Sequence, residues 1–133
     1  MKKTVREWIS FVCEDLTIKE PKIEIGECIK MGTETLYISS ERCTVDNLLK
    51  IAYELRHFWQ SETNPELWFG DWRQPSELPK NKFLMQKAEV DANAYALLML
   101  QRIGETATFD EFSASVYQAI VDREEELIEL RKK

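Results

Sequence analysis

Apolar residues recur at helical spacing from the start of the chain. Trp8, Phe11, Val12 and Leu16 share one face of residues 4–16, which predicts an amphipathic helix ending near Thr17, before Lys19-Glu20-Pro21. From Lys22 the period shortens to two. Ile23, Ile25 and Ile29 alternate with polar residues, Met31-Gly32-Thr33 makes a turn, and Thr35-Leu36-Tyr37-Ile38-Ser39 resumes β-type residues. This reads as a short antiparallel hairpin or meander, which must lie on helices because two or three strands do not stand alone in water. Thr44 is placed to cap a second helix over 45–59, whose apolar residues cover most of its circumference. Lys50, Tyr53, Glu54 and His57 fall within an arc of roughly 100°, a single polar stripe on an otherwise apolar helix.

Residues 61–80 have no period. They hold Pro65, Gly70, Pro75 and Pro79 together with Trp68, Phe69 and Trp72, large aromatics that argue for a packed connection with a short helical turn, either plugging the connection onto the core or forming a lid over a groove. A third helix is expected from Lys82 to Ile103, stopped by Gly104. On it Met85, Ala92, Ala96 and Leu100 share a face with Glu89, and Asn93 lies one turn beyond that acid. An acid in an apolar stripe needs a partner or a proton. Thr108 and Glu111 form a capping-box signature for the last helix, which turns Phe109, Phe112, Val116, Ile120 and Val121 inward. The run from Arg123 to Lys133 reads as a charged, solvated helix end, in which Leu127 and Leu130 are the residues a partner seam would use. The expected fold is one domain, 1–133, of α+β class, mostly helical with a small antiparallel sheet of two or three strands.

Composition narrows the partners. A formal net charge of −6, from 18 basic and 24 acidic residues, disfavours nucleic acid, and no basic run offsets it. No apolar run approaches the roughly 20 residues that span a bilayer, and the N-terminal segment carries Glu14 and Asp15 where a signal peptide has an apolar core, so a cytoplasmic protein is expected. Cys13, Cys28 and Cys43 are odd in number and widely separated, which predicts reduced thiols and gives no support to a Cys₃His zinc site with His57.

Tyr53-Glu54-Leu55-Arg56-His57 on one helix and Glu89-Val90-Asp91-Ala92-Asn93-Ala94-Tyr95-Ala96 on the next resemble the ImmA/IrrE-type zincin-like metallopeptidases. The resemblance covers about residues 20–100 and implies a zincin-like fold. In that family a His-Glu-x-x-His helix gives two imidazole ligands to Zn²⁺ and a general base, and a glutamate on the next helix is the third ligand. Carried over, Glu54 stands at the general-base position, His57 and Glu89 at ligand positions, and Asn93 behind Glu89 as a supporting partner. The first histidine is replaced by Tyr53. A phenol of pKa about 10 must lose its proton to stand in for an imidazole. The resemblance therefore implies a catalytically inactive site with no cofactor, in which Lys50, one turn before Glu54, supplies the charge a metal once did. Arg56 stands where many relatives have glycine. Hydrogen bonds from Tyr53 or His57 to Glu89, and an acid near Lys50 or Arg56, are expected to hold the site closed.

The function this implies is an intracellular binding or regulatory module, of the kind found in phages and mobile elements, with a protein or peptide partner in the ancestral substrate groove beside the hairpin at 22–39. The alternative is a residual zinc-dependent metallopeptidase using Tyr53, His57 and Glu89 as ligands and Glu54 as base. A third reading is a helical scaffold acting through its charged C-terminal run.

Overall fold

Thr4 opens the first helix, α1 (Val5–Leu16), with a reciprocal capping box: its hydroxyl accepts from the Glu7 N–H at 3.1 Å, and the Glu7 carboxylate accepts from the Thr4 N–H at 3.1 Å. The computed structural model describes residues 4–107 and 112–132. Trp8, Ile9, Val12 and Leu16 are buried, and the Trp8 indole donates to the Leu48 carbonyl at 2.8 Å, tying α1 to the second helix. Thr17 ends α1 in the left-handed conformation at φ 57°.

Three strands follow: β1 (Lys22–Ile25), β2 (Lys30–Met31) and β3 (Thr35–Ile38). Their order is β1-β3-β2, with β1 parallel to β3 and β2 antiparallel to it, so the sheet is mixed. The expected antiparallel hairpin or meander is corrected to that extent. Alternation along the chain sets which side chains face the core but carries no information about strand order. The central place goes to β3, whose Leu36 and Ile38 are fully buried. Residues 26–29 cross to its far side, and the turn at Gly32 and Thr33 returns the chain between its neighbours.

The second helix, α2 (Val45–Thr63), is capped by Thr44, whose hydroxyl accepts from the Asn47 N–H at 3.2 Å, and it runs a turn beyond the expected end. The aromatic connection contains α3 (Pro65–Phe69), capped by Asn64, and a 3₁₀ turn at Pro75–Glu77. The long helix expected from Lys82 is two helices, α4 (Lys80–Leu84) and α5 (Lys87–Arg102). Gln86 leaves the helical conformation (φ −62°, ψ 144°) and grips the Arg73 backbone, accepting its N–H at 2.6 Å and donating to its carbonyl at 3.0 Å. Met85 accordingly lies outside α5, 46% exposed, and does not share the buried face of Glu89. Gly104, at φ 76°, follows the end of α5 in the conformation that favours glycine.

The last helix is α6 (Ala114–Arg131), with Ser113 as its cap. The Thr108–Glu111 capping box expected from the sequence lies outside the described residues. α6 packs on α5 along its length, and its charged end is not simply solvated: Leu127 is in the core, and Arg123 and Arg131 are ion-paired to buried or half-buried aspartates. α5 forms the centre of the molecule. Its Ala88, Ala92, Ala94 and Ala96 are fully buried, small enough for α2 and α6 to approach on either side. The architecture is therefore α+β, mostly helical, with the core between α1, α2, α5, α6 and the inner face of the sheet. Among the described residues no helix is long and apolar enough to cross a membrane, and the three cysteines are free.

Candidate functional site

The packing of α2 on α5 sets Tyr53 and His57, one helical turn apart, against Glu89 in the first turn of α5. Glu89 is 1% exposed and receives three donors. The Tyr53 hydroxyl donates to Oε1, the Trp72 indole N–H donates to Oε2 at 3.2 Å, and His57 Nε2 lies 3.0 Å from Oε2. The Tyr53 and His57 rings meet edge-on at 4.4 Å, and Phe69 lies between His57 and Trp72, 5.8 Å and 6.0 Å from them, closing the site with the aromatic connection. Trp72 was missed at the level of sequence. Its connection has no period, and only the density of aromatics there hinted that it was packed.

The hydrogen-bond partners assign the protons. Gln60 is fully buried and donates from Nε2 to the Ala88 carbonyl at 3.0 Å and to Asp91 Oδ2 at 2.8 Å, which leaves Oε1 as the atom 2.7 Å from His57 Nδ1. An amide oxygen accepts only, so Nδ1 carries a proton. Nε2 faces a carboxylate oxygen, so the geometry is that of an imidazolium–carboxylate pair between His57 and Glu89. Burial works against that charge, but the hydrogen bond and charge of Glu89, with Gln60 and Glu54, hold the His57 pKa above its ordinary 6.5. Burial likewise opposes ionisation of Glu89, and the His57, Tyr53 and Trp72 donors outweigh it, keeping that carboxyl below the usual range. Burial, Glu89 and Glu54 together push the Tyr53 phenol far above its ordinary value.

Glu54, at the general-base position, accepts the Met31 N–H of β2 at 3.0 Å. Burial, with the Glu89 charge, raises its pKa more than that bond and the nearby His57 and Lys30 charges lower it. Asn93 is buried, and its amide donates to the backbone carbonyl of Glu89 at 3.0 Å, so it braces the helix turn that carries the acid. Lys50 is not at the site. It pairs with Asp46 at 3.0 Å on the surface, 58% exposed, because it lies nearly two turns, about 10 Å along the axis, before His57 toward the N-terminal end of α2. The cation-capable side chain beside Glu89 is His57. Arg56 points the other way, into a second buried cluster. Its Nε lies 2.7 Å from Asp91 Oδ2, its guanidinium stacks 3.8 Å over Trp59 and 4.6 Å over Tyr95, and Arg123 of α6 reaches the other Asp91 oxygen at 2.9 Å. Gln60 joins the two clusters through its bonds to His57 and Asp91.

The donor set departs from that of a zinc site, whose ligands present lone pairs: the Tyr53 hydroxyl and the Trp72 N–H donate to Glu89, and His57 Nε2 lies against the same carboxylate. Among the described residues, no group of three or more His, Cys, Asp or Glu side chains is arranged to hold a metal ion. Beside His57 a groove of about 520 Å³ opens between the β2 turn and the C-terminal half of α2, lined by Met31, Gly32, Thr33, Glu54, His57, Phe58, Ser61 and Glu62.

Fold and site together define an α+β chain in which two adjacent helices bury a histidine–glutamate ion pair at the floor of an acidic groove. No family model matches this chain, and neither a curated protein nor a solved structure matches it.

Proposed function

We propose that this chain is a zincin-like domain without catalytic activity, in which the His57–Glu89 ion pair occupies the place of a metal, and that it serves as an intracellular binding or regulatory module. The observation that carries this reading is the trio of donors on Glu89, from Tyr53, His57 and Trp72, since a carboxylate so engaged needs no cation to stabilise it. The binding face is the groove beside the pair. Glu54 and Glu62 line it and the chain carries a net charge of −6, which favours a basic segment of a partner protein. Glu54 already takes the Met31 N–H, so the groove engages its partner through side chains more than through strand addition to β2.

The residual-peptidase reading draws on one feature, the 3.0 Å between His57 Nε2 and Glu89, close to the spacing of two ligands on one ion. It requires both His57 and Tyr53 to give up protons that their surroundings hold. Zinc titration by calorimetry and thermal shift separates the two. Wild type should give no stoichiometric binding. Tyr53→His removes the phenol and completes a His-Glu-x-x-His helix, and it should gain zinc affinity with a melting temperature that rises with zinc, by about 2.7 kcal/mol of stabilisation at a hundredfold excess over Kd. Tight binding by wild type would contradict the proposal. For the groove, selection of peptides from a random display library on the immobilised protein should enrich Lys- and Arg-containing sequences, and Glu62→Lys should abolish the enrichment.

A further inference from the structure

We propose that β1 is the seam of a two-fold homodimer, in which β1 of each copy pairs antiparallel with β1 of the other to join two three-stranded sheets into one. The two edges of the sheet differ. At the β2 edge the Met31 N–H is taken by Glu54, whereas at the β1 edge no side chain among the described residues bonds to Ile23 or Ile25. The bonds that bracket the β1–β3 ladder, Lys22 N–H to Glu34 at 2.9 Å and Gly26 N–H to Ile38 at 3.0 Å, turn the even-numbered residues of β1 toward β3. By alternation the N–H and C=O groups of Ile23 and Ile25 point outward from the edge. Ile25 is the most exposed large apolar side chain among the described residues, at 65%, although its β3 neighbour Ile38 is fully buried. Such an edge invites another strand.

Charge selects a second copy as that strand. A pairing centred on Ile23 sets Lys22 against Glu24 of the partner subunit, and by the two-fold sets Glu24 against Lys22 of the partner subunit. The same register places Ile25 against Pro21 of the partner subunit and Ile23 against Ile23 of the partner subunit, so the apolar residues fall on the core side and the charges on the outer face. Pro21 has no N–H and ends the ladder one residue beyond Lys22, which limits the seam to a short one. Shifting the register by two residues would oppose Glu24 to Glu24 of the partner subunit, a like-charge contact that disfavours the slip.

Sedimentation equilibrium over a wide concentration range tests this with charge reversals. Wild type should show a monomer–dimer equilibrium. Lys22→Glu and Glu24→Lys, each of which places two like-charge contacts across the seam, should raise the dimer dissociation constant about tenfold. The double reversal, Lys22→Glu with Glu24→Lys, should restore it, and Ile25→Lys should weaken the dimer without rescue. All three positions of change are on the surface, so far-UV circular dichroism and melting temperature should stay at wild-type values. A wild type that is monomeric throughout, a dimer indifferent to Lys22→Glu, or a double reversal that fails to restore association would each overturn the proposal.

Discussion

Tyr53 is where one side chain decides the chemistry of the site. An imidazole there would offer a lone pair, whereas the phenol donates a hydrogen bond to Glu89 and keeps its proton under the influence of burial and two neighbouring carboxylates. Tyr53→Phe removes one of three donors from a buried carboxylate and should cost about 1.5–3 kcal/mol in urea unfolding, with His57 and Trp72 still in place. Because the His57 pKa is raised on folding, its stabilising contribution is complete below the unfolded value near 6.5 and is lost as pH rises through the higher folded value. The melting temperature of wild type should therefore fall across that window, and His57→Gln should remove this part of the slope. Much at this scale was legible in the sequence, because an acid on an apolar helix face, Glu89, and a lone histidine in a polar stripe are each anomalies that need a partner. Lys50 was misread since neighbours on a helix wheel need not turn the same way, and Trp72 could not be found because an aperiodic connection gives no direction to its side chains.

Among the elements, α2, α5 and α6 are held at one point by Asp91. It is 1% exposed and paired to Arg56, Gln60 and Arg123, one from α2 at each of two turns and one from α6. Asp91→Ala would leave the nearly buried Arg56 without its counter-charge and should destabilise by about 3–5 kcal/mol in chemical denaturation. Burial disfavours the Asp91 charge, but the Arg56 bond and charge, with Gln60 and Arg123, lower its pKa, so its contribution is present above the unfolded carboxylate range and lost as pH falls through the lower folded value. Asp15 behaves alike, held down by Arg131, Tyr95 and Arg102 against burial. Helix α1 was readable from its apolar period, and α2 from its period and the cap at Thr44. The break at Met85 and Gln86 was not, since it depends on Gln86 reaching the backbone of Arg73, a contact thirteen residues away that no local propensity encodes. Strand order was hidden for a similar reason: period two specifies faces, while β3 takes the centre by virtue of what it packs against.

Over the whole molecule the first and last helices are tied together. Asp15 of α1 accepts from Arg131 at 2.6 and 2.8 Å, from Arg102 at 3.0 Å and from the Tyr95 hydroxyl at 2.7 Å. The C-terminal charges that looked like a solvated end in the sequence are thus half of two internal ion-pair clusters, a role visible only once partners more than thirty residues away are placed. Truncation after Asp122 removes Arg123, Arg131 and Leu127 together. It should broaden and lower the thermal transition and expose apolar surface to a dye such as ANS. A scaffold acting through a free tail would instead keep its melting temperature and lose only a partner. The α+β class was legible because helical and strand periods occupy separate stretches of the chain.

The proposed role of the site requires a positive charge on His57, the chain's only histidine. Long-range ¹H–¹⁵N correlation spectra of the side chain would report both ring nitrogens without ambiguity of assignment. At pH 7 the spectrum should be that of an imidazolium with both nitrogens protonated, titrating above 6.5 and unchanged by added zinc. A neutral ring with an unprotonated Nε2 at that pH, or an Nε2 signal that shifts stoichiometrically with zinc, would contradict it.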